Sequence, residues 1–235
     1  MQAERFEVDA VLFDLDGTLI DSGAALERSW TQWAIEHRVT RDQFSAVVAH
    51  GRTSADMVAA LLATDQVPAA LARIEELEAG ITDGVRAYPG ARALLDALPR
   101  DRWAIITSGT SRVARARLRA ARLPDPAVLV TADDVTRGKP DPAPYRLGAR
   151  RLGARPDRCL VLEDAPAGLA SAKAAGMWTV AVTTTTPSTA LNATAVVDRL
   201  TDIRLQAPNS GTESGIVVRV RDSFHSARQS AARGA

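Results

Sequence analysis

The chain predicts an α/β protein, with a parallel sheet covered by helices on both faces and an all-helical segment inserted after the first strand. Three observations carry this. Short apolar runs at 8–13, 102–106, 127–131, 159–162 and 177–182 have the length and the near-continuous hydrophobicity of strands buried on both sides. From residue 102 onward these runs alternate with stretches of helical period, which implies right-handed crossovers into a parallel sheet. Between the first run and Arg102 the patterning is helical, with no strand signal.

Taken in order, the first run ends in Asp14-Leu15-Asp16-Gly17-Thr18. Two carboxylates one residue apart thus stand at a strand's carboxyl end, where α/β sheets place ligands. Gly17, lacking a Cβ, lets the chain turn away sharply. Helical patterning over about 23–37, 41–49, 54–63 and 69–86 makes up the insertion; Thr53 and Asp56 have capping-box-like spacing at the third of these. Tyr88-Pro89-Gly90 marks the return, and 91–98 is the first crossover helix. The strand–helix alternation then runs 102–108, 111–122, 127–131, 142–153, 159–163, 165–175, 177–182 and 195–197. Residues 207–212 are turn-rich, 216–218 read as one further edge strand, and the end from Ser223 reads as frayed.

Composition narrows the function. The 235 residues, 46% hydrophobic, suffice for one α/β domain plus an insertion with its own core. A net charge of +1 leaves no electrostatic footprint for nucleic acid or an anionic membrane. The single cysteine, Cys159, allows no internal disulfide and fits a reducing compartment. The start lacks a signal-peptide pattern, and no apolar run is long enough to span a bilayer. The expectation is a soluble, cytoplasmic protein. Arg112, Arg115, Arg119 and Arg122 recur on one helix face and read as solvated, Cys159 as core filler, and Trp30 and Trp33, one turn apart, as packing inside the insertion. His37, His50 and His225 show no ligand spacing.

The acidic pair carries the chemistry. An enzyme that uses one carboxylate as nucleophile and another as proton shuttle needs two acids side by side; a structural strand end does not. Asp14-Leu15-Asp16-Gly17-Thr18 resembles the signature of the haloacid dehalogenase superfamily, most of whose members are magnesium-dependent phosphatases. Its further motifs appear downstream in order. Thr107-Ser108-Gly109-Thr110 follows the strand at 102–106, Gly138-Lys139-Pro140-Asp141-Pro142 supplies a lysine, and Glu163-Asp164 ends the strand at 159–162. The resemblance covers roughly residues 8–205.

The resemblance implies a doubly wound, Rossmann-like catalytic core formed by 1–21 and 88–206. A helical cap would cover 22–87, and 207–235 would be a partly disordered extension. It implies a Mg2+-dependent phosphomonoesterase that works through an aspartyl-phosphate. Asp14 is then the nucleophile. Asp16 protonates the departing alkoxide and later deprotonates the attacking water. Thr107, with the backbone N–H groups of Ser108 and Gly109, holds phosphoryl oxygens; Lys139 balances the nucleophile and the transferring group. Asp14, the Asp16 carbonyl, Glu163 and Asp164 hold the metal. Arg52, in His50-Gly51-Arg52-Thr53, would face the substrate from a cap loop, where a helix start otherwise disfavours a cation.

With Tyr145 and Glu163-Asp164-Ala165-Pro166-Ala167-Gly168, the pattern looks most like the branch that hydrolyses sugar and polyol phosphates. The rival within the superfamily is a β-phosphoglucomutase, which shares every core motif; the rival outside catalysis is an inactive regulatory or binding protein of the same fold. A phosphonatase is disfavoured because 21–87 holds no lysine for a Schiff base, and a dehalogenase because Asp16 would be idle. The expected partner is a small phosphorylated metabolite, with no nucleic acid and no membrane, for a monomer or weak homodimer.

Overall fold

The computed structural model describes residues 3–47, 53–206, 215–221 and 223. Strands β1 (Ala3–Val8), β2 (Ala10–Phe13) and β3 (Ile20–Asp21) are followed by helices α1 (Gly23–Glu36), α2 (Arg41–Val47), α3 (Ser54–Leu61) and α4 (Val67–Gly80). Then come β4 (Arg86–Ala87), α5 (Ala91–Asp96), β5 (Trp103–Ile106), α6 (Ser111–Ala120), β6 (Val128–Val130), α7 (Ala143–Arg151), β7 (Cys159–Glu163) and α8 (Pro166–Ala174). β8 (Trp178–Val182), β9 (Ala195–Val197), β10 (Ile203–Gln206) and β11 (Ile216–Arg221) complete the order.

The main sheet has the order β6-β5-β2-β7-β8-β9 with every pair parallel. The chain winds outward from β2 through β5 to β6, then returns to the other side of β2 with β7. The fold is therefore doubly wound, and its order reverses between β2 and β7, where such sheets open a crevice at their carboxyl ends. Alternate side chains sort to the two faces, as the pleat requires. Val11, Phe13, Trp103, Ile105, Leu160 and Leu162 pack with Leu94, Leu95, Ala114 and Leu118 of α5 and α6. Ala10, Leu12, Ala104, Ile106 and Val161 pack with Tyr145, Ala149 and Ala172 of α7 and α8.

Three elements depart from the sequence expectation. The run 8–13 is two strands, not one: Val8 ends β1, and β2 begins at Ala10. Asp9 bends the chain between them, because its N–H donates to the Arg158 carbonyl at 2.7 Å and its carboxylate takes the Arg158 guanidinium at 3.1 Å. The strand expected at an edge, 216–218, runs over Ile216–Arg221 and is the central strand of a separate antiparallel sheet, β1-β11-β10. Ile216, Val218 and Val220 lie on one side of it and join the large core, as do Phe6 and Val8 of β1 and Ile203 of β10. The helix expected over 69–86 is α4, which starts at Val67 with Pro68 in its first turn and stops at Gly80. Gly84, at φ +81°, then turns the chain into β4. β4 pairs with β3, and Arg86 meets Asp21 at 2.7 Å, where the helical segment leaves and rejoins the sheet.

Helices α1 to α4 have their own core of Trp30, Trp33, Met57, Val58, Ala70, Ile74 and Leu77. Trp33 donates its indole N–H to the Ala70 carbonyl at 2.9 Å, fastening α1 to α4. Thr53 caps α3 by accepting from the Asp56 N–H. α4 also lies against α6 of the sheet layer, where Thr110 donates to Glu75 at 2.8 Å. Of the C-terminal segment, Ser223 donates its N–H to Val196; residues 207–214 and those from 224 onward lie outside the described residues.

Candidate active site

The crevice predicted by the topology is where the acidic motifs converge. Asp14 follows β2 directly, and its N–H donates to Leu162 of β7 at 3.0 Å, so the two strand ends are tied together. Gly17 turns the chain at φ +90°, and a Cβ there would lie 2.3 Å from Asp164 Oδ2. Only glycine meets both the dihedral and the close approach. Thr107 leaves β5 beside them, its N–H held by the Val130 carbonyl.

Lys139, from the loop before α7, is buried among the acids. Its Nζ lies 2.6 Å from Asp14 Oδ1, 2.6 Å from Glu163 Oε1 and 3.1 Å from the Ile106 carbonyl. Glu163 Oε1 also accepts from the Tyr145 hydroxyl at 3.0 Å, while Oε2 accepts from the Asp164 and Ala165 N–H groups, each at 3.0 Å. Four donors thus fill the Glu163 carboxylate. Gly168 makes room for it, since a Cβ there would fall 1.6 Å from Oε1. Asp164 accepts from Thr18 at 3.0 Å through Oδ1 and from Thr185 through Oδ2.

Three buried carboxylates therefore face one buried ammonium. Burial raises Asp14 well above the usual carboxylate value, with Lys139 opposing and Glu163 and Asp164 adding to the rise. Burial and then Glu163 push Asp164 up to about 7. Burial alone would lower Lys139, but Asp14 and Glu163 outweigh it and keep the amine charged. Buried charge is stable when paired or metal-bound, and this cluster carries excess negative charge. Oxygens of Asp14, Glu163 and Asp164 lie within 4.8 Å of one another. An all-oxygen donor set with surplus negative charge fits a hard divalent cation.

Asp16 projects away from that cluster. Its Oδ1 accepts from Ser22 at 2.6 Å, and its Oδ2 meets Arg117 of α6 at 2.9 Å. Arg117 also reaches Glu78 of α4, at 3.4 Å. Thr107 Oγ1 accepts the Gly109 N–H at 3.1 Å; α6 is capped by Thr110 instead, so Thr107 is not the helix cap.

Above the strand ends lies a cavity of about 790 Å³, bounded by the helical layer. Asp14, Asp16, Thr107, Ser108, Gly109, Glu163 and Asp164 line its floor; Leu26, Trp30, Ile35, Val39, Phe44 and Met57 line its roof. Lys139 is not among its walls and sits beneath Asp14. Arg52, with residues 48–51, lies outside the described residues. Sequence reasoning missed Arg117 and Glu78. A signal was present: Arg117 lies four residues after Val113 and three after Ala114, on the apolar stripe of α6, whereas Arg112, Arg115, Arg119 and Arg122 are exposed as expected.

The model of haloacid dehalogenase-like hydrolases matches residues 8–176. The chain belongs to that family. Among similar proteins, hexitol phosphatase A of Escherichia coli (strain K12) is 45% identical over 186 residues, 77% of this chain and 86% of that protein. Glycerol-1-phosphate phosphohydrolase 2 of Saccharomyces cerevisiae is 34% identical over 191 residues, 76% of each chain. The crystal structure of a hydrolase from Pseudomonas syringae is similar at a TM-score of 0.75 and 27% identity, covering 83% of this chain and 95% of that one. As a haloacid dehalogenase-like hydrolase, the protein is an enzyme. Among its described residues, no helix is long and apolar enough to cross a membrane.

Proposed function

We propose that the protein is a magnesium-dependent phosphomonoesterase acting on a small sugar or polyol phosphate. The observation that carries this reading is the buried Asp14–Lys139 contact at 2.6 Å, which opens onto a cavity that also exposes Asp16 and Thr107. A carboxylate so held presents a nucleophilic oxygen while its repulsion with a phosphate dianion is partly neutralised. Asp14 attacks phosphorus. The bond from phosphorus to the leaving oxygen breaks, and its electron pair goes to that oxygen, which takes a proton from Asp16. Asp16 then accepts a proton from the water that hydrolyses the aspartyl-phosphate, returning free phosphate, the Asp14 carboxylate and the protonated Asp16.

Thr107, Ser108 and Gly109, at the strand end before α6, are placed to hold phosphoryl oxygens. Asp14, the Asp16 carbonyl, Asp164 and Glu163 would hold Mg2+; when bound, the ion supplies positive charge to the transferring phosphoryl group. Helices α1 to α4 are inferred to act as the cap, over residues 22–87, with the core in 1–21 and 88–206. The apolar roof, once closed over a substrate, would exclude water from the chemistry. Arg52 is carried as a substrate contact on the sequence alone. The names of the similar phosphatases support hexitol, glycerol and related phosphates as the substrate class. A monomer or weak homodimer working in the cytoplasm remains the expected setting.

The test is phosphate release from a panel of hexitol, hexose, glycerol and glycolate phosphates, with magnesium and with chelator. Magnesium-dependent release from sugar or polyol phosphates is expected. No release from any member would overturn the reading. Conversion of β-glucose 1-phosphate to glucose 6-phosphate without free phosphate, primed by glucose 1,6-bisphosphate, would assign the mutase instead.

A further inference from the structure

We propose that Arg117 is a positioning residue for Asp16, and that Glu78 makes this positioning depend on the docking of α4 against the core. The inference rests on the phosphatase reading above, in which Asp16 is the acid and base.

A guanidinium only 4% exposed sits between two carboxylates from different parts of the molecule. One Nη meets Asp16 Oδ2 at 2.9 Å, at the end of the catalytic strand, and the other meets Glu78 Oε2 at 3.4 Å, on the helical layer. Side chains on a helix lean toward its N-terminus, so Arg117, in the second half of α6, reaches back toward the crevice. Its rigid fork can serve two acids at fixed positions, which a lysine's single ammonium does less well. Ser22 occupies the other Asp16 oxygen at 2.6 Å, so both oxygens of the proposed acid/base are fixed. Arg117 and Glu78 are both buried, so removing either one alone would strand the charge of the other.

Glu78 ties this arrangement to the cap. Glu75, one turn earlier on α4, accepts from Thr110 at the start of α6, so the two helices are joined at two levels. Polar contacts thus run from α4 through Arg117 of α6 to Asp16. Proton transfer requires the donor within hydrogen-bond reach of the reacting oxygen, so a shift of α4 reaches the acid through Arg117.

The test uses full-length enzyme with magnesium and two variants. Arg117→Lys keeps the charge and loses the fork. Arg117→Met combined with Glu78→Gln removes both buried charges together, so neither is stranded. kcat/KM is measured for 4-nitrophenyl phosphate, phenyl phosphate and glycerol 1-phosphate. This ratio reports steps only as far as phosphoryl transfer to Asp14, and 4-nitrophenolate leaves without needing a proton. The expected result is a fall of about 10–100-fold in kcat/KM for glycerol 1-phosphate relative to 4-nitrophenyl phosphate, the scale of a misplaced catalytic group. Phenyl phosphate should lie between, KM should move little, and the lysine variant should lose less than the double variant. Losses equal across the three substrates would show that Arg117 only holds the fold, and no loss in either variant would show that it holds nothing; each overturns the proposal. A wild type that releases phosphate from none of these and from no hexitol, hexose or glycolate phosphate would overturn the phosphatase reading first, and this inference with it.

Discussion

At the ends of β2 and β7, every acid is held by named donors: Lys139 on Asp14, four groups on Glu163, and Thr18 and Thr185 on Asp164. The helical roof above is built on other terms. Its cavity surface is Leu26, Trp30, Ile35, Val39, Phe44 and Met57; α2 buries no residue, and Ile35 is 68% exposed. Polar contacts have direction and a narrow range of length, so the floor tolerates few substitutions. Dispersion and apolar burial are nearly non-directional, so the roof can change its residues while still excluding water. On the phosphatase reading, the difference predicts that substitutions in the floor act on the rate and substitutions in the roof on the choice of substrate.

The sharpest way to break that division is Asp14→Asn. The amide keeps the shape but is a poor nucleophile, and turnover should fall by more than about 10³-fold with an unchanged circular dichroism spectrum. Activity within about tenfold of wild type would remove Asp14 from the chemistry. Next in size is the metal. Chelator should abolish turnover, and Asp164→Ala should raise the magnesium concentration for half-maximal rate more than Glu163→Ala does. Glu163 already has four donors to satisfy it, whereas Asp164 has two hydroxyls. The reverse order in a magnesium titration would show that Glu163 is the stronger ligand.

Gly168→Ala tests the floor without replacing a charged group. A Cβ 1.6 Å from Glu163 Oε1 must displace that carboxylate and, through it, Lys139. kcat should drop about 10–100-fold, and overpacking should cost about 1–3 kcal/mol in a denaturant titration. A stability loss with full activity would separate Glu163 placement from catalysis. On the roof, Phe44→Ala should instead raise KM for the best sugar phosphate by roughly tenfold, the worth of a partly lost apolar contact, with kcat within a factor of about two. A fall in kcat at constant KM would mean that α2 takes part in the chemistry.

The smallest effect concerns Cys159, whose thiol burial pushes up to about 12. The thiolate is the reactive form, so at pH 8 iodoacetamide should leave the folded enzyme unmodified and label it in urea, as read by mass spectrometry. A folded-state pKa above the ordinary 9.0 contributes stability that is present below about pH 9 and is lost as the pH rises toward 12. The Tm difference between wild type and Cys159→Ser should therefore shrink across that range. Labelling of the native protein at pH 8 would show that β7 opens locally.

Much of the floor could be read from the chain because buried parallel strands leave an unmistakable apolar run, and the polar residues that end such a run have few places to be other than the crevice. Asp14 and Asp16 stand out in that way, Thr107, Lys139 and Glu163-Asp164 follow from the resemblance to the family's motifs at strand ends, and the structure brings Asp14, Thr107, Glu163 and Asp164 to one crevice with Lys139 against Asp14 and Glu163. The insertion was legible from helical period alone. β1 was not separated from β2, because an apolar run does not reveal which sheet a residue joins; Asp9 turns the chain only by virtue of Arg158, 149 residues away. β11 reads as an edge in the sequence because its partner β1, over Ala3–Val8, carries no strand signal of its own there. β3 and β4 are two residues each, too short for any period to register.

By itself, then, the sequence determined the strands of the main sheet, the helical insertion, the order of the motifs and the family to which they belong, since each depends on local composition and spacing. Only the tertiary structure decided that Glu163 is filled by four donors, that Asp16 turns from Asp14 toward Ser22 and Arg117, and that Glu78 meets the same guanidinium across the seam between α4 and α6. Those contacts join residues far apart in the chain. A charged side chain carries no mark of its partner until packing removes water from both.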